Sequence, residues 1–224
     1  FEAVNFNKEN TTAKLVGRGV MPGMFVIVAS SRSNITSVAD LKRKEIAVAA
    51  GTIIDYALDR LLMAEGVDPK DIVKVNVPSM PMRLEILNQG KIPAAIFAPP
   101  LSDLALISGA RAILDDTKQP FAGPGLILST RALKNKSEAI NRCIQAWQQA
   151  VELVNAKPSK YRALLTEVAS VPEPVRERVE VPTFSKLRLP TEIEINEVVS
   201  WMMGKGLMTR SLKLEEVADT RFVK

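Results

Sequence analysis

An α/β architecture of two lobes is predicted by three features of this sequence. Strand and helix patterns alternate without a break through residues 45–114. Two short, mainly apolar runs, at 24–29 and 126–129, bracket that block. Beyond them the chain turns mainly helical. Alternation with short loops is the pattern of a parallel sheet covered by helices on both faces. The bracketing runs suggest a lobe inserted into the chain and reached through two crossover strands, with the flanking segments building a second lobe and a site in the cleft between them.

The elements follow in order. Residues 1–10 read as a polar, partly helical end, and 13–17 as a strand. The run 24–29 (MFVIVA) is the sort of continuous Val/Ile stretch that a strand buried on both faces requires. Gly17, Gly19, Pro22 and Gly23 punctuate the loop between them. A short helix is expected at 37–44, a strand at 45–50 and a turn at Gly51-Thr52. The helix at 53–65 places Ile54, Leu58, Leu61 and Leu62 on one face and ends at Gly66. Strands at 72–77, 94–97 and 111–114 alternate with helices at 82–89 and 101–107, which stop at Gly90 and Gly109. After the strand at 126–129, a helix over 137–156 carries Ile140, Ile144, Trp147, Val151 and Val154 at helical spacing. Pro158 is expected to stop it, with another helix at 161–168 and an irregular, proline-rich connector at 171–190. Thr191 and Glu194 form a capping box for a helix that ends at Gly204, and 214–218 is one last turn.

Composition narrows the function. The chain has 224 residues, 46% hydrophobic and 25% charged, enough for one large globular domain or two small ones. It contains no histidine, which removes Ser-His-Asp and Cys-His catalysis and His-ligated zinc. A single cysteine, Cys143, makes no internal disulfide and no thiolate cluster. The net charge of +5 comes from scattered basic residues, which suits a solvated surface, and no nucleic-acid partner is expected. No apolar stretch approaches the ~20 residues of a membrane-spanning helix. The chain begins at Phe1 rather than Met, so removal of an upstream segment is expected.

Ligands of open α/β sheets bind at the carboxyl ends of the strands, and three such ends stand out. The first is Ala50-Gly51-Thr52, where a helix N-terminus offers backbone N–H groups and a positive dipole end. Gly51 making a turn and Thr52 capping the helix is the plainer reading of the same residues. The second is Pro78-Ser79-Met80, with Ser79 a natural helix cap. The third is Phe97-Ala98-Pro99-Pro100, where Phe97 is a candidate pocket wall or a core residue. Trp147 and Trp201 read as core, and Asp115-Asp116 lacks the further ligands of a metal site. No P-loop, GxGxxG, GxSxG or HExxH motif is present.

Three segments carry a family resemblance. Residues 35–52 (ITSVADLKRKEIAVAAGT), 87–95 (LNQGKIPAA), and 201–207 (WMMGKGL) with 219–222 (DTRF) resemble, in order, motifs of periplasmic solute-binding proteins of ABC transporters. The nitrate, sulfonate and taurine branch, with its thiamine-precursor binders, is the most similar. Arg43 stands where that family carries glycine, Pro93 where it carries aspartate, and Phe97-Ala98-Pro99 where many members have an acidic or aromatic residue before the proline. The resemblance implies a periplasmic binding protein type 2-like fold with parallel or mixed sheets in two lobes. Residues 30–120 would form a complete α/β ligand-binding lobe. Residues 1–29 and 121–224 would form a partial lobe of the N-terminal type with the C-terminal helices, lacking its first strand–helix units.

It further implies capture of a small polar or anionic solute without cofactor or covalent chemistry, delivery to a membrane permease, and a periplasmic or membrane-anchored extracytoplasmic location. Gly51 and Thr52 would cradle the ligand, Ser79 and Met80 line the cleft, and Phe97, Ala98 and Pro99 form its floor. An incomplete lobe leaves sheet edge uncovered, which favours self-association of the chain. A ligand-sensing domain of a regulator shares this fold, as does a pyrimidine-precursor synthase, although the latter relies on histidine and a cysteine cluster.

Overall fold

The structure, a computed structural model, describes residues 1–10 and 12–223. Helix α1 (Glu2–Asn7) leads into strand β1 (Ala13–Arg18) and then β2 (Val26–Ala29). Next come β3 (Glu45–Val48), α2 (Ile53–Ala64), β4 (Val73–Asn76), α3 (Met80–Asn88), β5 (Ala94–Phe97), α4 (Leu101–Ile107) and β6 (Arg111–Asp115). Strand β7 (Gly125–Ser129) precedes α5 (Thr130–Asn135), α6 (Ser137–Ala156), α7 (Pro158–Val168), α8 (Glu192–Gly204) and α9 (Leu214–Val217). The chain divides into two compact units. One holds Phe1–Met21, Phe121–Lys160 and Pro182–Lys224, and the other holds Pro22–Pro120 and Tyr161–Val181.

The larger unit is built on a five-stranded sheet of order β4-β3-β5-β2-β6. Strands β4 and β5 pair parallel to β3. Strand β2 pairs antiparallel with β5 on one side and with β6 on the other, so β3, β4, β5 and β6 all run the same way. That common direction is what the alternation through 45–114 predicts. The position of β2 differs from the expectation. It lies inside this sheet instead of bracketing it, because Ile27, Val28 and Ala29 are fully buried and need cover on both faces. The division accordingly falls after Met21 and not after residue 29, and Tyr161–Val181 joins the same unit, with Val171 and Val175 buried. On one face of the sheet Val28, Ala47, Ala95 and Phe97 form a core with Leu87 of α3 and Ala105 of α4.

Two helices differ from the sequence reading. The helix expected at 37–44 is a single 3-10 turn, Ala39–Leu41. The Asp40 carboxylate accepts the N–H and the hydroxyl of both Thr36 and Ser37, which draws the backbone into a turn. Those bonds hold its carboxyl down at about 2. Arg43 then adopts a left-handed conformation, φ +61°, with its N–H donating to the carbonyl of Asp71 at 2.7 Å. Helix α6 ends at Ala156, just before Pro158 as expected, but the next helix starts at Pro158 itself and not at Tyr161, a first-turn position where the missing N–H costs nothing.

In the smaller unit, β1 pairs antiparallel with β7, and Val16, Leu133, Ile140, Ile144, Leu187 and Val223 form the core, with Trp147 packed against it. Glu194, in the first turn of α8, closes the expected capping box with Thr191. It also receives Arg18 of β1 at 2.5 Å and Arg188 at 2.5 Å. Burial alone would raise the Glu194 carboxyl. The hydrogen bond from Arg188, the N–H of Thr191 and the charges of Arg18 and Arg188 outweigh it and hold the group at about 2.

Two outcomes are expected. Arg43→Gly relieves the left-handed strain and raises stability by about 1 kcal/mol, read from the urea midpoint. Glu194→Gln leaves two arginines without their shared carboxylate. Because Glu194 is 26% exposed, solvent screening limits the cost to about 2 kcal/mol at neutral pH. A carboxyl held below its ordinary value stabilises the fold above that value. The gap between parent and variant should therefore be full above about pH 4.5 and shrink as the pH falls toward about 2, in denaturant titrations at each pH.

Candidate functional site

Strands β4, β3 and β5 are neighbours and parallel, so their carboxyl ends lie side by side along one edge of the sheet. The three strand ends singled out in the sequence are therefore brought together. Asn76 at the end of β4 accepts the Ala50 N–H at 3.0 Å, and the Val77 N–H donates to the Val48 carbonyl at 2.8 Å, which ties two of them directly.

Gly51 has φ +73°, the left-handed geometry that lets the chain reverse from β3 into α2. Its N–H is committed to the Asp55 carboxylate at 3.0 Å. The Thr52 hydroxyl is committed as well: it donates to the Ala49 carbonyl at 2.8 Å and accepts the Ile54 N–H at 3.2 Å as the cap of α2. The backbone N–H groups of Thr52 and Ile53 find no acceptor among the described residues. They are the donors that this helix end presents. The plainer reading of the Gly51 turn and the Thr52 hydroxyl is thus the observed one, and the donors left over at this helix end are backbone N–H groups.

Beneath this turn sits a charged cluster. Lys74 of β4 reaches Asp55 at 2.5 Å and also contacts Asp59, one turn further along α2. Both carboxylates are buried and the lysine is nearly so. The Asp55 carboxylate therefore joins the Gly51 backbone on one side to Lys74 on the other, and α2 is pinned to the sheet at its N-terminus. The sequence reading did not find this cluster. Its signal was a pair of aspartates four residues apart on the otherwise apolar face of α2.

At the second strand end, Ser79 is exposed and caps α3, its hydroxyl accepting the Met82 N–H at 3.4 Å, while Met80 is half-buried. At the third, Phe97 is fully buried in the core and lines no open surface, which favours the core alternative weighed for it. Ala98 is half-buried and Pro99 exposed, and the Ala98 carbonyl accepts the N–H groups of Leu101 and Ser102 at the start of α4. The guanidinium of Arg83, on α3, lies 5.7 Å from the centre of the Phe97 ring. Arg83 was missed in the sequence. The available signal was a basic residue one turn before Leu87, hence on the helix face that packs against the sheet.

No group of His, Cys, Asp or Glu among the described residues has the arrangement of a metal site. Asp115 caps its own turn by accepting the Thr117 N–H at 2.8 Å, and Asp116 accepts the Phe25 N–H at 3.1 Å, so this acidic pair is occupied with backbone. No helix is long and apolar enough to cross a membrane among the described residues.

Comparison with known proteins gives a consistent picture. The family model described as NMT1/THI5 like matches residues 8–161. A protein of Brachyspira hyodysenteriae, named as a candidate ABC transporter periplasmic binding protein, is 32% identical over 122 residues, 54% of this chain. The match spans only 35% of that curated relative. Among solved structures, the periplasmic aliphatic sulphonate binding protein SsuA from Escherichia coli superposes with a TM-score of 0.77 at 21% identity, covering 96% of this chain and 75% of its own. The desulfurization enzyme DszB superposes with a TM-score of 0.71 at 15% identity, covering 96% and 79%. At such identities the likeness establishes the two-lobe binding-protein fold.

Removing the lysine from the buried cluster leaves Asp55 and Asp59 facing each other without a cation. Lys74→Met is expected to cost about 3 kcal/mol or more, measured by chemical denaturation, whereas an exposed pair such as Arg142 with Glu138 would cost a few tenths.

Proposed function

The chain belongs to the NMT1/THI5-like family, and from that premise we propose that it is the solute-binding component of an ABC importer, acting outside the cytoplasm and passing a small polar or anionic molecule to a membrane permease. The observation that carries this reading is the carboxyl edge of the larger sheet. There β4, β3 and β5 end together, and the first turn of α2 keeps backbone donors in hand above a glycine turn. Open α/β sheets bind ligands at that edge, and helix N-termini favour anions there. Gly51 and Thr52 take part through backbone. Ser79, Met80, Ala98 and Pro99 surround them on the neighbouring strand ends, and Phe97 supports the floor from beneath.

The sulphonate-binding name of a structural neighbour makes aliphatic sulfonates the first ligands to test. A binder is the reading, since such recognition needs donors and shape and no covalent step. The second reading, an enzyme, draws on the DszB likeness. Against it, this chain has no histidine to act as a base, and its one thiol, Cys143, sits exposed on α6 in the smaller unit.

The test is thermal stabilisation of the chain by sulfonates, nitrate, bicarbonate, carboxylates and pyrimidines. A true ligand at a hundred times its dissociation constant adds about 2.7 kcal/mol, so Tm should climb with the logarithm of its concentration. A flat response across the whole panel would sink the reading, and turnover of any of these compounds would favour the enzyme.

A further inference from the structure

Among the described residues, the buried side-chain atoms without a hydrogen-bond partner are the three guanidinium nitrogens of Arg83 and one carboxylate oxygen of Asp116. The two groups are not equivalent. Asp116 already accepts the Phe25 N–H with its other oxygen, and burial raises its pKa. Burial also pulls the Arg83 guanidinium downward from its ordinary value, but a guanidinium keeps its proton in any protein setting. Arg83 is 0% exposed and carries a full charge with five N–H donors, none of which reaches an acceptor. An arrangement of this kind is costly. A buried charge is ordinarily paired, and one left alone destabilises a fold.

The surroundings say what would complete it. Arg83 lies on the face of α3 that carries Leu87, and its guanidinium stands over the ring of Phe97 at the end of β5. A ring contact engages the flat face of the guanidinium and leaves its in-plane donors unused. Those donors form a fork that fits two oxygens of one anionic group. Water is excluded, so the field of the cation there is strong. Along the helix Arg83 is one turn, about 6 Å, from the exposed start of α3 at Ser79. Half-buried Met80, at that same start, is unbranched and moves aside easily.

We infer that Arg83 is the anchor for the anionic head of the bound solute, a sulfonate or carboxylate whose oxygens receive the guanidinium fork above Phe97. This inference rests on the solute-binding reading and deepens it by naming the ligand class and the residue that selects it. The cost of leaving Arg83 unpaired in the free protein is recovered when the anion arrives, which makes Arg83 a residue kept for binding against the interest of the free fold.

The experiment compares the parent chain with Arg83→Met and Arg83→Lys, using butanesulfonate, pentanoate and the neutral butanesulfonamide as probes in thermal shift and calorimetry. Ligand-free Arg83→Met is expected to melt at or above the parent, because an apolar side chain of similar length replaces an unpaired charge. The parent should bind one or both anions and bind the sulfonamide at least about 100-fold more weakly. Arg83→Met should lose at least about 100-fold in anion affinity, and Arg83→Lys, which keeps the charge without the fork, should fall between. Preference between the two anions assigns the head group. Equal binding of anion and sulfonamide by the parent, or unchanged anion affinity in Arg83→Met, overturns the inference and leaves the solute-binding reading standing. Ligand-free Arg83→Met melting well below the parent makes Arg83 a structural residue and also overturns it. No response of the parent to these probes or to the wider panel overturns both.

Discussion

The larger unit depends on β2 lying antiparallel in the middle of its sheet, hydrogen-bonded to β5 on one side and to β6 on the other. Strand β6 stands at the edge and joins the sheet through β2 alone. Its register against β2 slips between Ile27 and Val28, and Asp116, the next residue after β6, takes the N–H of Phe25 just before β2. That carboxylate extends the pairing beyond the ladder. Four residues thus hold the two halves of a sheet together, and three of them are fully buried. Such a strand tolerates neither a polar side chain nor a break in its backbone bonding.

Polar groups do the local fastening. Glu194 joins β1, the segment before α8 and the first turn of α8 through one carboxylate. Asp55 fastens the Gly51 turn to Lys74, and Asp40 folds residues 36–40 around itself. In each case a carboxylate is matched by several donors, the condition under which a partly buried charge helps and does not harm. Among the described residues of the larger unit Arg83 departs furthest from this pattern, since its flat face meets an aromatic ring and none of its donors reaches an acceptor. Departures from otherwise consistent satisfaction are where function is to be sought.

The alternation of residues 45–114 was readable because β3, β4 and β5 are each followed by a crossover helix, so the order of elements implies their direction. Helix α6 and the capping box at Thr191 were readable for a similar reason, since both are local patterns. The place of β2 was not, because an apolar run does not encode its partners, and those partners lie far along the chain. The turn at 39–41 was missed because competition between Asp40 and the helix backbone is a matter of geometry more than of propensity. At the candidate site the strand–glycine–cap pattern marked Gly51, Thr52 and Ser79 correctly as loop-edge residues. What it did not tell was which donors are already spent. Phe97 and Arg83 show the same limit from the core side: a residue's type does not reveal whether its partner is solvent, protein or ligand.

The course of the chain between the two units has a consequence for how the molecule comes into being. It passes from the smaller unit to the larger after Met21, back after Pro120, out again within α7 and home after Val181. During synthesis segments of the smaller unit emerge both before and after the 22–120 segment of the larger one, which still awaits Val171 and Val175 when most of α6 has emerged. Neither unit is a continuous stretch that a ribosome could release complete. The nascent chain must therefore keep unfinished apolar surfaces on both units shielded until Val175 and helix α8 have emerged, a demand that falls on the timing of folding more than on the finished fold.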